Sequence, residues 1–437
     1  MPHGLPRRRW RIAWLLAIGV LVSYFDRVNL SAAHAALITT FGISDVAFGY
    51  LSSAYNLTYW ICQLPVGIVL DRFGVRRVSR VGICLWSGAT FAAAVAPSLG
   101  TLFGARFLLG VGEAPTFPAS AKAVGRWFPP RERGLASALF DAAAKLSSVI
   151  AIPLVGGILL WAGWRWSFAL TGAISLAYLV YFWRVYREPD EDPKLSEAER
   201  HFIATDAVAS PAPGNGSTLW QLLGEPKVLG LALGFGAYNY VFYLLLTWLP
   251  SYFSFALHVD LMHSFLYTSV PWLVATVCEL SIGGWLVDVL INRGADANRV
   301  RRTLLIGGAC CGLGILGAAH AQTAAQAILW ISVSISGLSI HSAVGWSVPA
   351  LIAPREDVGK VAGIVNFSNQ LSGIGAPILT GYLVAVRHSY AWVFGASGIY
   401  LVIGICGYLF LLGRIEPFRR AAARALRRDP APPIIRG

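Results

Sequence analysis

The chain has 437 residues, of which 56% are hydrophobic and only 13% are charged, and its mean hydropathy is +0.60. This composition excludes a water-soluble globular protein, because so few charges leave too little polar surface to keep the chain dissolved. The net charge of +13 does not indicate a nucleic-acid-binding protein, because the basic residues are dispersed over loops and tails and form no single patch.

Apolar stretches of ~20 residues recur along the whole chain, and this is the length that crosses ~30 Å of hydrocarbon. Because backbone groups in lipid need partners within the protein, each stretch is predicted to be a helix. The twelve predicted spans are 12–34, 47–70, 79–98, 100–124, 135–160, 166–184, 228–250, 266–288, 303–320, 325–350, 361–385 and 390–413. The sequence therefore predicts an all-α integral membrane protein.

The distribution of Lys and Arg predicts the orientation of these spans. If the spans alternate in direction, the basic residues before span one, after spans four, eight and ten, and after span twelve all lie on one side. The other side keeps only Arg165 and Arg387. Because cytoplasmic loops carry the excess of positive charge, both termini are predicted to be cytoplasmic.

Residues 185–227 interrupt the hydrophobic pattern with acidic residues, a short helical run at 195–200 and a Pro/Gly/Ser-rich stretch. This composition is typical of a solvated linker between two membrane domains. The predicted organisation is an N-terminal six-helix half (1–184), a cytoplasmic linker (185–227), a C-terminal six-helix half (228–413) and a basic cytoplasmic tail (414–437).

Two short motifs occur once in each half, which indicates an internal duplication. They are Gly67-x-x-x-Asp71 with Gly284-x-x-x-Asp288, and Pro130-Arg131-Glu132 with Pro354-Arg355-Glu356. Reading forward from the second motif pairs Asp141 with Asn366 and Lys145 with Gln370. Spans five and eleven are therefore expected to present polar groups at matched depth.

The segment 67–77 joins spans two and three and is unusually rich in charge. Charged residues that form ion pairs in only one arrangement of the helices would stabilise that arrangement, and the pairs would separate when the helices rearrange. The predicted gating residues are Asp71, Arg72, Arg76 and Arg77, with Asp288 as the counterpart in the second half. A positively charged loop that only sets topology is the simpler interpretation, and it holds alongside the first.

The same segment resembles a family signature. Its pattern, G-x-x-x-D-R-x-G-x-R-R, is similar to the loop signature of the major facilitator superfamily of secondary transporters. Six further motifs, in matching order and spans, resemble the anion:cation symporter family. They are Tyr24-Phe25-Asp26-Arg27-x-Asn29-Leu30, Tyr59-x-x-x-Gln63-x-Pro65, Arg106-x-x-x-Gly110-x-x-Glu113-Ala114-Pro115, Trp127-Phe128-Pro129 with Glu132-Arg133, Thr247-Trp248-Leu249-Pro250, and Gly363-x-x-Asn366.

The resemblance covers essentially the whole chain and implies both a fold and a function. The implied fold has twelve transmembrane helices in two pseudo-symmetric six-helix bundles, with the substrate site near the midplane between them. The implied function is proton-coupled import of a small organic anion, such as a sugar acid, across the bacterial inner membrane by alternating access. The expected partners are the anion, protons and lipid, and the expected state is a monomer. No cofactor, metal or enzymatic activity is expected.

Ionisable residues well inside the spans are the strongest candidates for function, because each costs on the order of 3 kcal/mol or more unless it is paired or hydrated. They are Asp26, Arg27, Arg106, Glu113, Asp141, Lys145 and Glu279. The first four are expected to form one column, with Glu113 two turns below Arg106 on the same helix face. By the resemblance, Asp26 and Glu113 are the proton-coupling pair, Arg27 lies near the substrate, and Arg106 is its electrostatic neighbour.

Asp141, Lys145 and Glu279 form a second predicted group nearer the cytoplasm. Spans five and eight face each other in the implied fold, which predicts a Lys145–Glu279 pair between the halves. A local Asp141–Lys145 pair at i,i+4 is the alternative, and the sequence favours neither. Such a group would gate the cytoplasmic side or offer a positive charge to the substrate.

Polar and aromatic residues complete the predicted substrate pocket. By the resemblance its lining includes Tyr59, Trp346 and Asn366. Asn369 and Gln370 lie on nearly the same helical face as Asn366, and Asn239 and Tyr243 belong to an aromatic-rich face of span seven, so we add these four. The extra cation, Lys145, favours a diacid, whereas the tyrosines of span seven favour an aromatic acid. The same pocket would also suit an efflux carrier or a uniporter. A transporter-like receptor would need an output domain, which the short tails do not offer.

Overall fold

The computed structural model describes residues 7–205, 217–354 and 357–417, and every regular element within these ranges is helical. The N-terminal helices are α1 (Arg8–Ala32), α2 (His34–Phe41), α3 (Asp45–Ala94), α4 (Leu99–Glu113), α5 (Thr116–Trp127), α6 (Pro130–Ala162) and α7 (Trp164–Val185). The linker contains α8 (Glu197–Thr205) and α9 (Leu219–Leu223).

The C-terminal helices continue the same pattern of long apolar segments with short connections. They are α10 (Pro226–Ser251), α11 (Leu261–Cys278), α12 (Val287–Asn292), α13 (Ala297–Gly312), α14 (Ile315–Ala318), α15 (Ala324–Gly345), α16 (Val348–Ile352), α17 (Val358–Arg387) and α18 (Tyr390–Cys406). Three of these spans are extended by π-helical segments at Tyr252–Ala256, Glu279–Leu286 and Gly407–Leu412.

Within the described residues, eight helical stretches are long and apolar enough to cross a membrane by themselves. Four further spans come from the two arms of α3, the α4–α5 pair and the 30-residue α17. The twelve-span, all-helical fold predicted from the sequence is therefore confirmed.

Two breaks explain where spans two to four differ from prediction. The helical backbone of α3 continues through the predicted loop and is interrupted only at Gly74, whose φ of 77° and ψ of 164° suit a residue without a Cβ. Span four, predicted as one helix, divides between Glu113 and Thr116. Pro115 lies at this break and has no N–H to donate to the preceding turn.

The helices form two bundles, one from α1 to α7 and the other from α10 to α18. The bundles meet where α3 packs on α17, α6 on α11 and α1 on α10. These contacts place the polar positions of spans one, two, five, seven, eight and eleven along one central interface. The sequence-based boundaries of the halves, linker and tail remain predictions.

Glycines allow α3 and α17 to touch on the side of the molecule away from the chain ends. A Cβ on Gly49 would lie 2.6 Å from the Pro377 carbonyl oxygen, and one on Gly381 would lie 2.5 Å from the Asp45 carbonyl oxygen. Real Cβ atoms do not approach backbone so closely, so larger residues at these two positions would force the helices apart.

Hydrogen bonds fasten the same side. Ser53 Oγ donates to the Ile374 carbonyl at 2.7 Å, and Ser31 Oγ donates to the Thr247 carbonyl at 2.6 Å. Each bond joins a residue of the first bundle to the backbone of the second. The two bundles are therefore closed against each other on the side opposite the chain ends.

Candidate functional site

A buried ion pair between α1 and α4 lies at the centre of the first bundle. Arg27 Nε and Nη2 are 3.0 and 2.9 Å from Glu113 Oε2. Tyr55 of α3 donates its hydroxyl to the same oxygen at 2.9 Å. Glu113 is fully buried, and its Oε1 has no hydrogen-bond partner among the described residues. A buried carboxylate with one unsatisfied oxygen offers a position for a proton.

Three tyrosine rings surround the Arg27 guanidinium. Its Cζ lies 4.1 Å from the Tyr24 ring centroid, 4.8 Å from that of Tyr55 and 5.4 Å from that of Tyr59. Ring faces attract a cation, and this attraction helps to keep the charge stable away from water. Tyr55 was missed in the sequence, although it lies one helical turn before the predicted Tyr59, and that i,i+4 spacing was the available signal.

Arg106 and Asp26 lie beside this pair but do not complete the predicted column. Arg106 Nη1 donates to the backbone carbonyl of Asp26 at 3.2 Å. The Asp26 carboxylate turns toward α7 instead, where Ser175 Oγ donates to Oδ2 at 3.3 Å. Asp26 Oδ1 makes no hydrogen bond with a described residue. The two arginines and Glu113 thus stay grouped, while Asp26 faces the neighbouring helix.

Lys145 joins both of the partners that the sequence left as alternatives. Its Nζ lies 2.8 Å from Glu279 Oε2 and 2.9 Å from Oε1, across the contact between α6 and α11. It also lies 3.3 Å from Asp141 Oδ2, one turn earlier on α6. The side chains of Lys145 and Glu279 are buried, whereas Asp141 is 32% exposed.

Helix α10 of the second bundle lies near both the Arg27–Glu113 pair and the Lys145 group. Tyr243 lines the same small space as Arg27, and Tyr238, five residues earlier, lies within electrostatic range of Lys145. Asn239 is buried, and its Nδ2 donates to the Asn369 carbonyl at 2.5 Å, which fastens α10 to α17. Aromatic and amide groups of α10 therefore line the path between the two buried cations.

The remaining predicted pocket residues lie on α15 and α17. Asn369 and Gln370 are buried, and their side-chain carbonyl oxygens have no partner among the described residues. Asn366 is half-buried. Trp346 is 41% exposed at the end of α15, and its ring packs on Phe235 with centroids 5.2 Å apart. Unsatisfied amide oxygens are suited to accept hydrogen bonds from ligand hydroxyls.

The charged segment 67–77 makes its described contacts within the first bundle and the linker. Asp71 Oδ1 is 2.6 Å from Lys122 Nζ, and Arg76 Nη1 is 2.8 Å from Glu191 Oε2. Two further gating candidates, Arg72 and Arg77, are exposed. Asp288 belongs to α12, and its side chain lies outside the described part of the chain.

A histidine that the sequence did not single out bridges the bundles on the closed side. His34 Nε2 is 3.1 Å from Asp45 Oδ1, and His34 Nδ1 is 2.6 Å from Ser251 Oγ on α10. A lone histidine near the end of a span carries no recognisable spacing. The position of His34 between the bundles becomes evident only from its contacts with α3 and α10.

The cavities among the described residues differ in size on the two sides of the closed contact. A cavity of about 590 Å³ opens beyond the contact and is lined by residues such as Asp45, Tyr252 and Tyr390. A much smaller space of about 20 Å³ lies beside Arg27 and is also lined by Arg106 and Tyr243. The charged groups are therefore tightly enclosed from that side.

Comparisons with known proteins agree with this geometry. Residues 16–377 and 297–436 match the model of the Major Facilitator Superfamily. A protein named "Uncharacterized transporter YybO" from Bacillus subtilis (strain 168) is 40% identical over 412 residues, which cover 93% of this chain and 95% of that one. A D-galactonate transporter from Escherichia coli O6:H1 is 30% identical, over 94% of this chain and 97% of the relative.

A solved structure shares the fold. The inward-facing, unoccupied crystal structure of a bacterial homolog to the human lysosomal transporter Spinster aligns with a TM-score of 0.73 at 18% sequence identity. The alignment covers 94% of this chain and 98% of that one. This similarity supports the two-bundle architecture.

These findings define a multi-pass membrane transporter, not an enzyme. The chain belongs to the Major Facilitator Superfamily. The family membership predicted from the charged turn and the six motifs is confirmed.

Proposed function

We propose that this chain is a proton-coupled symporter that imports a sugar acid, such as an aldonate, aldarate or hexuronate, by alternating access. The observation that carries the proposal is the buried Arg27–Glu113 pair, whose carboxylate keeps one oxygen unsatisfied. The 30% identical relative named as a D-galactonate transporter supports the substrate class. A guanidinium recognises a carboxylate, and unsatisfied amide oxygens of α17 suit sugar hydroxyls.

Proton coupling would follow from competition for Arg27. While Glu113 is ionised, it occupies the guanidinium. A proton arriving from outside neutralises Glu113, and Arg27 then becomes available to the substrate carboxylate. Deprotonation toward the cytoplasm restores the pair and expels the anion. Asp26, whose Oδ1 is unsatisfied, would hold or pass a proton beside this exchange.

Alternating access would use the two faces of the bundle contact. With both termini in the cytoplasm of a bacterial inner membrane, the observed closure on the opposite side corresponds to an inward-facing state. Asp71, Arg72 and Arg76 are proposed to close the cytoplasmic side in the outward-facing state. In the present arrangement, Asp71 and Arg76 contact groups of their own bundle and the linker instead. We propose a monomer, with the sequence-based division into halves, linker and tail.

The test replaces the carboxylate while preserving its shape. Glu113→Gln in proteoliposomes should lose most accumulation of labelled D-galactonate under an inward proton gradient, because the amide cannot carry the proton. Exchange of internal for external D-galactonate needs no net proton transfer and should fall much less. Glu197→Gln, an exposed substitution on α8, is the matched control and should accumulate substrate like the parent. Full gradient-driven accumulation by Glu113→Gln would remove Glu113 from the proton path.

A further inference from the structure

A second buried cation lies at the bundle interface, separate from the Arg27 pair. Lys145 Nζ is within 3.3 Å of two carboxylates, Asp141 on its own helix and Glu279 on the facing bundle. Lys145 is 3% exposed and Glu279 is 5% exposed. One cation between two acids leaves the group with an excess negative charge when all three are ionised. Burial of such an excess is costly, so one of the acids is ready to accept a proton.

The local backbone marks Glu279 as a special position. It is the first residue of the π-helical segment Glu279–Leu286, where α11 leaves the regular α-helical pattern. π-Helical turns are rare and occur frequently at functional sites. Glu279 therefore differs from Asp141, which lies within the regular helix α6.

The two buried cations flank one stretch of α10. Tyr243 lines the same small space as Arg27, and Tyr238 lies within electrostatic range of Lys145. Five residues of α-helix separate these tyrosines, a rise of ~7.5 Å along the axis and a rotation of ~140° about it. A short chain with an acidic group at each end, lying beside this stretch of α10, would reach both cations.

We propose that Lys145 is a second anion subsite and that the transported sugar acid is a dianion, with one carboxylate at Arg27 and the other at Lys145. This inference rests on the proposed function and specifies its substrate class. Glu279 occupies Lys145 until it takes a proton from the medium, and the neutral acid then yields the ammonium to the second carboxylate. Asp141 keeps Lys145 oriented during the exchange.

The proton balance of this step is specific. When the second carboxylate of the substrate binds Lys145, Glu279 takes up one proton. Glu279 releases that proton when the Lys145–Glu279 pair forms again. Binding of a dianion should therefore take up one more proton than binding of the matching monoanion. A lysine that only fixed the packing of α6 on α11 would give no such difference.

The experiment compares gluconate with glucarate, which differ only in whether carbon six is an alcohol or a carboxylate. Calorimetric titration of the purified protein, in buffers of different ionisation enthalpy, gives both the affinity and the number of protons taken up. The parent protein should bind glucarate about tenfold or more tightly than gluconate, since an added charged contact is worth at least that factor. Lys145→Gln should bring the ratio close to one, whereas Lys145→Arg should retain a preference for glucarate.

Glu279→Gln tests the coupling, because its amide cannot take up the additional proton. It should reduce the proton uptake on glucarate binding by about one, and leave the uptake on gluconate binding as in the parent. Lys194→Gln, an exposed substitution in the linker, controls for loss of positive charge. An unchanged glucarate-to-gluconate ratio in Lys145→Gln, or unchanged proton uptake in Glu279→Gln, overturns the inference. Binding of gluconate alone overturns it while sparing the proposed function, whereas failure of the parent to bind or transport any sugar acid overturns the proposed function.

Discussion

At the residue scale, the proposed binding depends on charged side chains buried between the helices. The sequence singled out Arg27 and Glu113 as candidates because an ionisable group in a membrane span is costly unless it serves a function. It did not predict that Glu113 would face Arg27 while Asp26 turned toward Ser175, because side-chain direction depends on how α1, α4 and α7 pack. Depth along a helix can be counted from sequence, but the choice among neighbouring helices cannot.

Arg27→Lys should weaken D-galactonate binding by about tenfold or more, although the charge is kept. A lysine ammonium cannot bind a carboxylate in a two-pronged manner, and it cannot stack flat against the Tyr24 and Tyr55 rings. Calorimetric titration of the purified variant gives the change in Kd directly. Arg299→Lys, at an exposed position in the first turn of α13, is the matched control. Affinity equal to that of the parent would show that Arg27 contributes only its charge.

At the element scale, hydropathy predicted the spans well because a membrane constrains the length and polarity of each helix. It could not show the breaks within them. A hydropathy window does not distinguish an α-helical turn from the π-helical turn at Glu279–Leu286, since both present apolar residues. Similarly, the contact of Gly49 with Pro377 joins segments more than 300 residues apart, and no local pattern reports it.

Gly49→Val should prevent closure of the side opposite the chain ends. The added side chain would meet the Pro377 carbonyl, so α3 and α17 must separate and the alternate state is favoured. A cysteine introduced at Ser53, which bonds across this contact, should then react several-fold faster with a membrane-impermeant thiol reagent, in a background without the native cysteines. Gly104→Val, at a position with nothing within 4 Å of its added Cβ, is the control. Equal labelling of Gly49→Val and the control would show that these glycines do not govern closure.

At the scale of the whole molecule, the order of helices and their two-bundle arrangement follow from sequence, but the observed closure does not. A transporter sequence has to stabilise two conformations of nearly equal free energy. Its motifs are therefore compatible with both conformations and do not predict which one a structure will show. The segment 67–77 illustrates this, because its charges could serve a closed cytoplasmic side while Asp71 and Arg76 contact Lys122 and Glu191 here. Structure is needed to show which contacts are made.

Coupling between proton entry and anion uptake is the property that would most distinguish the proposed symporter from a uniporter or an exchanger. Proteoliposomes containing the parent protein, with an external medium more acidic than the lumen, should accumulate labelled D-galactonate or glucarate above the external concentration. A protonophore should abolish that accumulation. Equilibration of both acids to the external concentration, with no response to the proton gradient or to its collapse, would contradict proton-coupled symport and reduce the buried carboxylates to structural ion pairs.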